Sequence, residues 1–184
     1  MDEQEAIHRL RNGDLGGLEH LVRAHQLRAI RTAFLITGDR GLAEEVVQEA
    51  FLRLYRSIGR FDQARPFEPW FLRSVINACL RLMKRSRREV PLEDADDLAG
   101  FDRLAARLDS PQVQVEAAEA EREIRRALEK LSPRQRAVIV QRYFLEMSEA
   151  EMASHSGTAP GTIKPLLNAA RQRLREIMVE RSGQ

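Results

Sequence analysis

Residues 67–88 carry cations, an amide and a tryptophan at the spacing of one helical face. With successive residues turned by about 100°, these side chains fall within an arc of ~80°. They are Trp70, Arg73, Asn77, Arg81, Lys84 and Arg88. Cations bind phosphates, and an aromatic ring can stack on an unpaired base. The pattern favours a nucleic-acid surface, and the alternative is an ordinary basic helix with Trp70 partly packed in the core.

A second cationic stripe lies in residues 162–176, within an arc of ~60°. It consists of Lys164, Asn168, Arg171 and Arg175. Lysine and arginine can reach phosphates or guanine, and asparagine can reach adenine. A helix with a solvated polar face is the alternative. Because the stripe holds three cations and no acidic side chain, we favour DNA binding over a solvated face.

The residues before this stripe have the spacing of a helix-turn-helix motif. Ala153 is small enough for two helices to cross closely, and Gly157, four residues later, suits the turn. Ile163 is the apolar residue that would hold the second helix on the first. The sequence therefore predicts that residues 162–176 form a recognition helix.

No catalytic, metal-binding or cofactor-binding pattern stands out, so the sequence predicts a protein that is not an enzyme. His20 and His25 lie about 140° apart on a helix, which does not suit a shared metal ion. The single cysteine, Cys79, allows no intrachain disulfide and fits a reducing cytoplasm. No apolar run approaches the ~20 residues of a membrane span, and no signal peptide is visible, so we expect no membrane insertion.

Capping residues and helix breakers predict an all-α protein. Asp14 can begin a helix that runs to about Leu35, and Asp39 can begin another over about 40–58 that Gly59 ends. A third is predicted over about 67–87. Two capping boxes mark further helices, and they are formed by Ser132 with Gln135 and by Ser148 with Glu151.

Pro165 lies where the recognition helix should already be running. A cap at Gly161 or Thr162 would place this proline in the first turn, where its missing N–H costs little. We therefore expect the helix to begin late or to be distorted at its start.

Charge divides the chain into two basic modules and an acidic connector. Residues 1–92 carry 16 basic and 12 acidic side chains, residues 93–119 carry 2 and 8, and residues 120–184 carry 12 and 8. We interpret 1–92 and 119–184 as two small helical domains. Residues 93–118 are interpreted as an acidic, flexible linker, with a short helix near 102–108.

The helix predicted over 40–58 has a different polar face. Glu44, Glu45, Gln48, Glu49 and Arg56 lie on it, and Leu52 lies in its middle. An exposed leucine within an acidic, amide-bearing face is a candidate anchor for a protein partner. Glu49 and Arg53 have the spacing of an ion pair along the helix.

Taken together, the chain resembles the extracytoplasmic-function sigma factors, the smallest class of bacterial sigma factors. The stretch "GLAEEVVQEAFLRLYRSIGRFD…PFEPWFLRSVINACLRLMKRSRR" resembles their region 2. The stretch "ALEKLSPRQRAVIVQRYFLEMSEAEMASHSGTAPGTIKPLLNAARQRLRE" resembles their region 4. The resemblance implies a specificity subunit of RNA polymerase, with core polymerase, promoter DNA and an anti-sigma factor as partners.

The resemblance also implies residue roles. Contacts to the −10 element are expected from Phe61, Phe67, Trp70, Arg73, Asn77, Arg81, Lys84, Arg85 and Arg88. Contacts to the −35 element are expected from Thr162, Lys164, Asn168, Arg171 and Arg175. Docking to core polymerase is expected from Glu45, Gln48, Glu49, Leu52 and Arg56.

The sequence departs from the family pattern at Arg81, where an acidic residue is common, and at Pro165, Leu166 and Ala169. Two other readings stay open. One is a helix-turn-helix regulator that binds duplex DNA without polymerase, and the other is a sigma-like interaction protein that does not initiate transcription.

Overall fold

The computed structural model describes residues 1–89 and 122–182, and every regular element among them is helical. The N-terminal module contains α1 (Glu3–Arg11), α2 (Leu15–Thr37), α3 (Arg40–Ser57), a 3₁₀ turn (Ile58–Arg60) and α4 (Phe67–Glu89). The C-terminal module contains α5 (122–129), α6 (Pro133–Ile139), a π-helical turn (Val140–Phe144), α7 (Glu149–Ser156) and α8 (Pro160–Ser182). The predicted linker, with its short helix, and the side chain of Arg88 lie outside the described residues.

Local caps fix most of the helix starts, as predicted. The Asp14 carboxylate accepts a bond from the Gly16 N–H at 2.8 Å, and that of Asp39 accepts one from Leu42 at 2.8 Å. Both predicted capping boxes are present. The predicted all-α fold is confirmed.

Helix α1 is an addition to the predicted elements. Its apolar face of Ala6, Ile7 and Leu10 is buried, and α2 packs against it. The two helices cross closely at Gly17, where a Cβ atom would lie 2.3 Å from the Ala6 carbonyl oxygen. Tertiary burial rather than length stabilises a nine-residue helix of this kind.

The predicted late start of the recognition helix is wrong. Helix α8 begins at Pro160, and Pro165 lies inside it. Pro160 occupies the first helical position, where the fixed φ of proline suits a helix. The first turn is already closed there, because the Thr162 N–H donates to the Ala159 carbonyl at 2.9 Å. Pro165 and Gly161 are both exposed, so water can satisfy the Gly161 carbonyl that Pro165 leaves without a helical donor.

The two modules have separate hydrophobic cores that meet. Ala137 and Val140 of the C-terminal module lie in the core of the N-terminal one. Leu35 and Leu145 pack against both cores. The C-terminal module therefore rests on α2 and α4 through α6, the π turn and α7.

Arg136 makes a hydrogen bond between the modules and two within its own. Its side chain is only 5% exposed. The guanidinium donates to the carbonyls of Leu128 and Glu129 near the end of α5, and to Ile36 near the end of α2, each at 2.8 Å. Helix carboxyl ends carry partial negative charge, so they are suitable partners for a buried cation.

We expect Arg136→Ala to lower the free energy of unfolding by about 2 to 3 kcal/mol, because the buried hydrogen bonds to the Leu128 and Ile36 carbonyls and the part-buried bond to the Glu129 carbonyl lose a charged donor. Chemical denaturation of the full chain measures the loss. Arg134→Ala, an exposed neighbour in α6, is the matched control. Equal stability of the two variants would show that the hydrogen bonds of Arg136 make no net contribution to the free energy of unfolding.

Candidate nucleic-acid interface

Helix α4 presents the predicted cationic stripe opposite a buried apolar face. Leu72, Val75, Ile76 and Cys79 are buried, and burial raises the pKa of the Cys79 thiol to about 12. The polar side divides into two parts by exposure. Trp70, Arg73 and Asn77 are half-buried, and Arg81, Lys84 and Arg85 are exposed.

Phe61 and Phe67 do not lie on this surface, which corrects their assignment as DNA contacts. They are 3% and 1% exposed, and their rings meet edge to face at a centroid distance of 5.7 Å. Trp70 lies 4.8 Å from Phe61 and 5.9 Å from Phe67, between centroids. The two phenylalanines therefore support Trp70 from inside the core rather than facing DNA beside it.

Helix α8 forms the second half of a helix-turn-helix with α7. Ala153 and Ile163 are buried where the helices meet, and Gly157 ends α7 with a φ of 65°, which glycine adopts at little cost. Leu167, Ala170 and Ile177 continue the buried face. The sequence-derived motif and its core face are both present.

The polar face of α8 carries the predicted stripe. Thr162, Lys164, Asn168 and Arg175 are exposed. Arg171 is half-buried, and its Nε–H donates to the Tyr143 hydroxyl at 2.8 Å. The Arg171 guanidinium carbon also lies 5.6 Å from the centroid of the Tyr143 ring.

Tyr143 was missed by the sequence analysis. It lies 28 residues from Arg171, in the π turn rather than on α8. No periodicity along one helix can link two such positions, because the two side chains come together only through the tertiary placement of the π turn and α8.

Helix α3 presents the predicted docking face. Glu45, Gln48 and Arg56 are exposed, and Leu52 is 50% exposed. The predicted ion pair is present, with Arg53 Nε 3.0 Å from the Glu49 carboxylate. Tyr55, 45% exposed on the same helix, is a second exposed apolar group that the sequence analysis did not single out.

The docking of the modules brings α7 against α4 near Arg73. Burial, and then the Arg73 charge, lower the pKa of His155, while Glu151 opposes this shift. The His155 Nδ1 atom is buried and has no hydrogen-bond partner among the described residues. The Arg73 end of the α4 stripe therefore lies beside the C-terminal module.

Two further findings concern the described residues, 1–89 and 122–182. No group of three histidine, cysteine or acidic side chains there is arranged to hold a metal ion. None of the helices is both long and apolar enough to span a bilayer.

Comparison with known families gives matches to both modules. Residues 21–89 match the Sigma-70 region 2 family, and residues 121–174 match Sigma-70, region 4. The chain is 33% identical over 168 residues to the ECF RNA polymerase sigma factor SigM of Mycobacterium tuberculosis, covering 90% of this chain and 79% of SigM. It is 28% identical over 166 residues to SigE of Mycolicibacterium smegmatis, covering 90% of this chain but only 63% of SigE.

A solved structure supports the fold. The sigma factor RpoE of Bartonella quintana, in complex with the anti-sigma factor NepR, aligns with a TM-score of 0.67 at 22% identity. The alignment covers 87% of this chain and 95% of RpoE. The two family matches and the 33% identity to SigM show that the chain belongs to the extracytoplasmic-function (ECF) sigma factors of the sigma-70 family.

We expect the imidazole of His155 to titrate below the ordinary histidine pKa of 6.5, and Arg73→Gln to move that pKa back upward. A lowered pKa means that the unfolded chain binds the proton more readily. The contribution of His155 to stability is therefore complete above about pH 6.5 and decreases as the pH falls below it.

NMR titration of the histidine ring signals measures this. Arg81→Gln removes an exposed cation further along α4 and is the control, which should leave the His155 titration unchanged. An unchanged His155 titration in Arg73→Gln would contradict the approach of α7 to α4.

Proposed function

We propose that the chain is a promoter-specificity subunit of RNA polymerase. One observation carries the proposal: two separately cored modules each bury one face of a long helix and present cations and an amide on the other. In the N-terminal module this helix is α4, and in the C-terminal module it is α8. Two such faces on one chain suit a promoter that is contacted at two separate elements.

We assign the −10 element to the surface of α4. The exposed cations Arg81, Lys84 and Arg85 are suited to backbone phosphates, and Asn77 is suited to a base edge. Trp70, held by the aromatic core beneath it, is a rigid platform on which an unpaired base can stack. This geometry suits a strand that has been melted.

We assign the −35 element to α8, the recognition helix. Asn168 and Lys164 are exposed, away from the buried face around Leu167, and can reach base edges in a major groove. Arg175 and Thr162 are assigned to phosphates at either side of them. Pro165, exposed next to Lys164, offers no side-chain donor to a base.

We assign core polymerase to the face of α3 around Leu52. An exposed leucine ringed by carboxylate and amide groups matches an apolar anchor with a polar rim. The chain itself contributes no catalytic step in this proposal, since RNA synthesis belongs to the core enzyme. Like other transcription components, it would act in the cytoplasm.

We also propose an anti-sigma factor as a partner. RpoE was solved with the anti-sigma factor NepR, and CnrH, a second structural neighbour with a TM-score of 0.65, was solved with the cytosolic domain of CnrY. Membership in the same family supports a regulator of this kind for this chain.

Run-off transcription with purified core polymerase over a promoter library tests the proposal. We expect initiation that depends on both core enzyme and this chain. Sequence-specific duplex binding by the chain alone, without initiation, would favour a helix-turn-helix regulator. Core binding without initiation at any promoter would favour a sigma-like interaction protein.

We expect Leu52→Asp to weaken binding to core polymerase by at least about tenfold, because a charge replaces the apolar anchor. Surface plasmon resonance with immobilised core enzyme measures the affinity. Leu15→Asp, at an exposed leucine on the first residue of α2, is the matched control and should bind normally. Equal affinity of both variants would place the docking surface elsewhere.

A further inference from the structure

We propose that Tyr143 and Arg171 together bind one phosphate of the DNA backbone at the edge of the recognition surface. The proposal rests on the proposed function in one respect, that α8 faces DNA. It goes further by giving a DNA-contacting role to a residue outside the recognition helix, in the π turn Val140–Phe144.

The hydrogen bond between the two residues sets the direction of the remaining donors. The Arg171 Nε–H donates to the Tyr143 oxygen at 2.8 Å, so the phenol acts as the acceptor. Its own O–H is left to donate to a second oxygen. The two terminal nitrogens of the guanidinium also remain as donors. Hydroxyl and guanidinium donors from two elements thus converge beside one another.

The partner of Arg171 is neutral, so the pair keeps a full positive charge. Arg173, two residues along α8, shows the contrast, because its guanidinium lies 3.1 Å from the Glu176 carboxylate. Within the described chain, Arg171 has no carboxylate partner of this kind. A phenol orients the guanidinium without neutralising it, which suits an anionic ligand.

Tyr143 is exposed and lies in a turn that several hydrogen bonds close. It is 58% exposed, which is high for a large aromatic ring. The turn is closed by bonds from the Leu145 N–H to Val140 and from the Met147 N–H to Gln141, both at 3.0 Å. Arg142 adds a bond to the Met147 carbonyl at 2.9 Å. π-Helical turns frequently occur at functional sites, and this one aims an aromatic hydroxyl at the cationic stripe.

A phosphate is the ligand that this geometry favours. The pair offers several donors and one positive charge on an open surface, which matches the tetrahedral oxygens of a phosphodiester. Arg171 lies between Asn168 and Arg175 along the stripe, so the phosphate would flank the bases that α8 reads. Such a contact positions the protein on DNA without reading sequence.

Fluorescence anisotropy of the full chain with a random-sequence duplex, over a range of salt concentrations, tests the proposal without a known promoter. Tyr143→Phe keeps the ring over the guanidinium and removes only the hydroxyl. We expect it to weaken binding about three- to tenfold. Arg171→Ala should weaken binding at least as much and reduce the salt slope by about one unit.

The double variant distinguishes a joint site from two separate ones. Because the hydroxyl acts together with the guanidinium, adding Tyr143→Phe to Arg171→Ala should cause little further loss. Arg173→Ala, which removes a cation already paired with Glu176, is the control and should weaken binding less than Arg171→Ala. The NMR signal of the Arg171 Nε–H gives a second readout. Without DNA, it should differ between Tyr143→Phe and the wild type. In the wild type, it should also shift when duplex is added.

Two results would overturn the proposal: duplex binding by Tyr143→Phe equal to that of the wild type, or losses that add fully in the double variant. Its failure is distinguishable from failure of the proposed function. A wild-type chain that supports run-off transcription while Tyr143→Phe binds duplex normally would refute only the phosphate site. A chain that supports no initiation, but in which the two losses overlap, would refute only the sigma function.

Discussion

The arrangement of the two modules depends on the burial of the Arg136 guanidinium. A cation removed from water destabilises a protein unless its N–H groups find acceptors, and here three carbonyls near helix ends accept from it. One of these carbonyls belongs to the other module. Its position depends on where α2 stops, and α2 stops at Gly38, whose φ of 76° closes the helix. A Cβ atom at Gly38 would lie 3.3 Å from the guanidinium, so the helix end and the buried cation fit each other closely.

This contact affects the surface that we assign to DNA. Because α6 packs on α2 and α4, α7 lies against α4. Besides burial, the positive charge of Arg73 on α4 therefore helps to lower the pKa of His155 on α7. The α4 stripe is thereby divided into an end beside the other module and an end, at Arg81 and Lys84, that is open to solvent. Separation of the modules would uncover the Arg73 end, and it would break the bond between Arg136 and the Ile36 carbonyl. The same interface therefore links module arrangement with access to the nucleic-acid surface.

The two proposed DNA surfaces use aromatic groups differently. On α4, Trp70 rests on Phe61 and Phe67, so that a core aromatic cluster holds a ring at the surface. On the C-terminal module, Tyr143 acts through its hydroxyl and fixes a cation. A stacking platform suits unpaired bases, and an oriented cation suits the backbone of a duplex. This difference agrees with the assignment of α4 to a melted element and of α8 to a double-stranded one.

Local interactions in the sequence determined the helices and their faces. The caps at Asp14, Asp39, Ser132 and Ser148 each bond to a backbone N–H within three residues. The helical period of 3.6 residues separates buried from exposed positions on one helix. Both features involve residues close together in the sequence, so the sequence alone predicts them. The tertiary structure decided the rest. It buried Phe61 and Phe67, which the sequence could place only in or next to a loop, and it stabilised α1 through Gly17. It also let α8 begin at Pro160 with Pro165 inside, because that part of the helix is open to water. The contacts of Arg136 with Ile36 and of Tyr143 with Arg171 join residues 100 and 28 positions apart. Such pairs depend on how helices pack, and helical periodicity carries no information about which faces of different helices will meet.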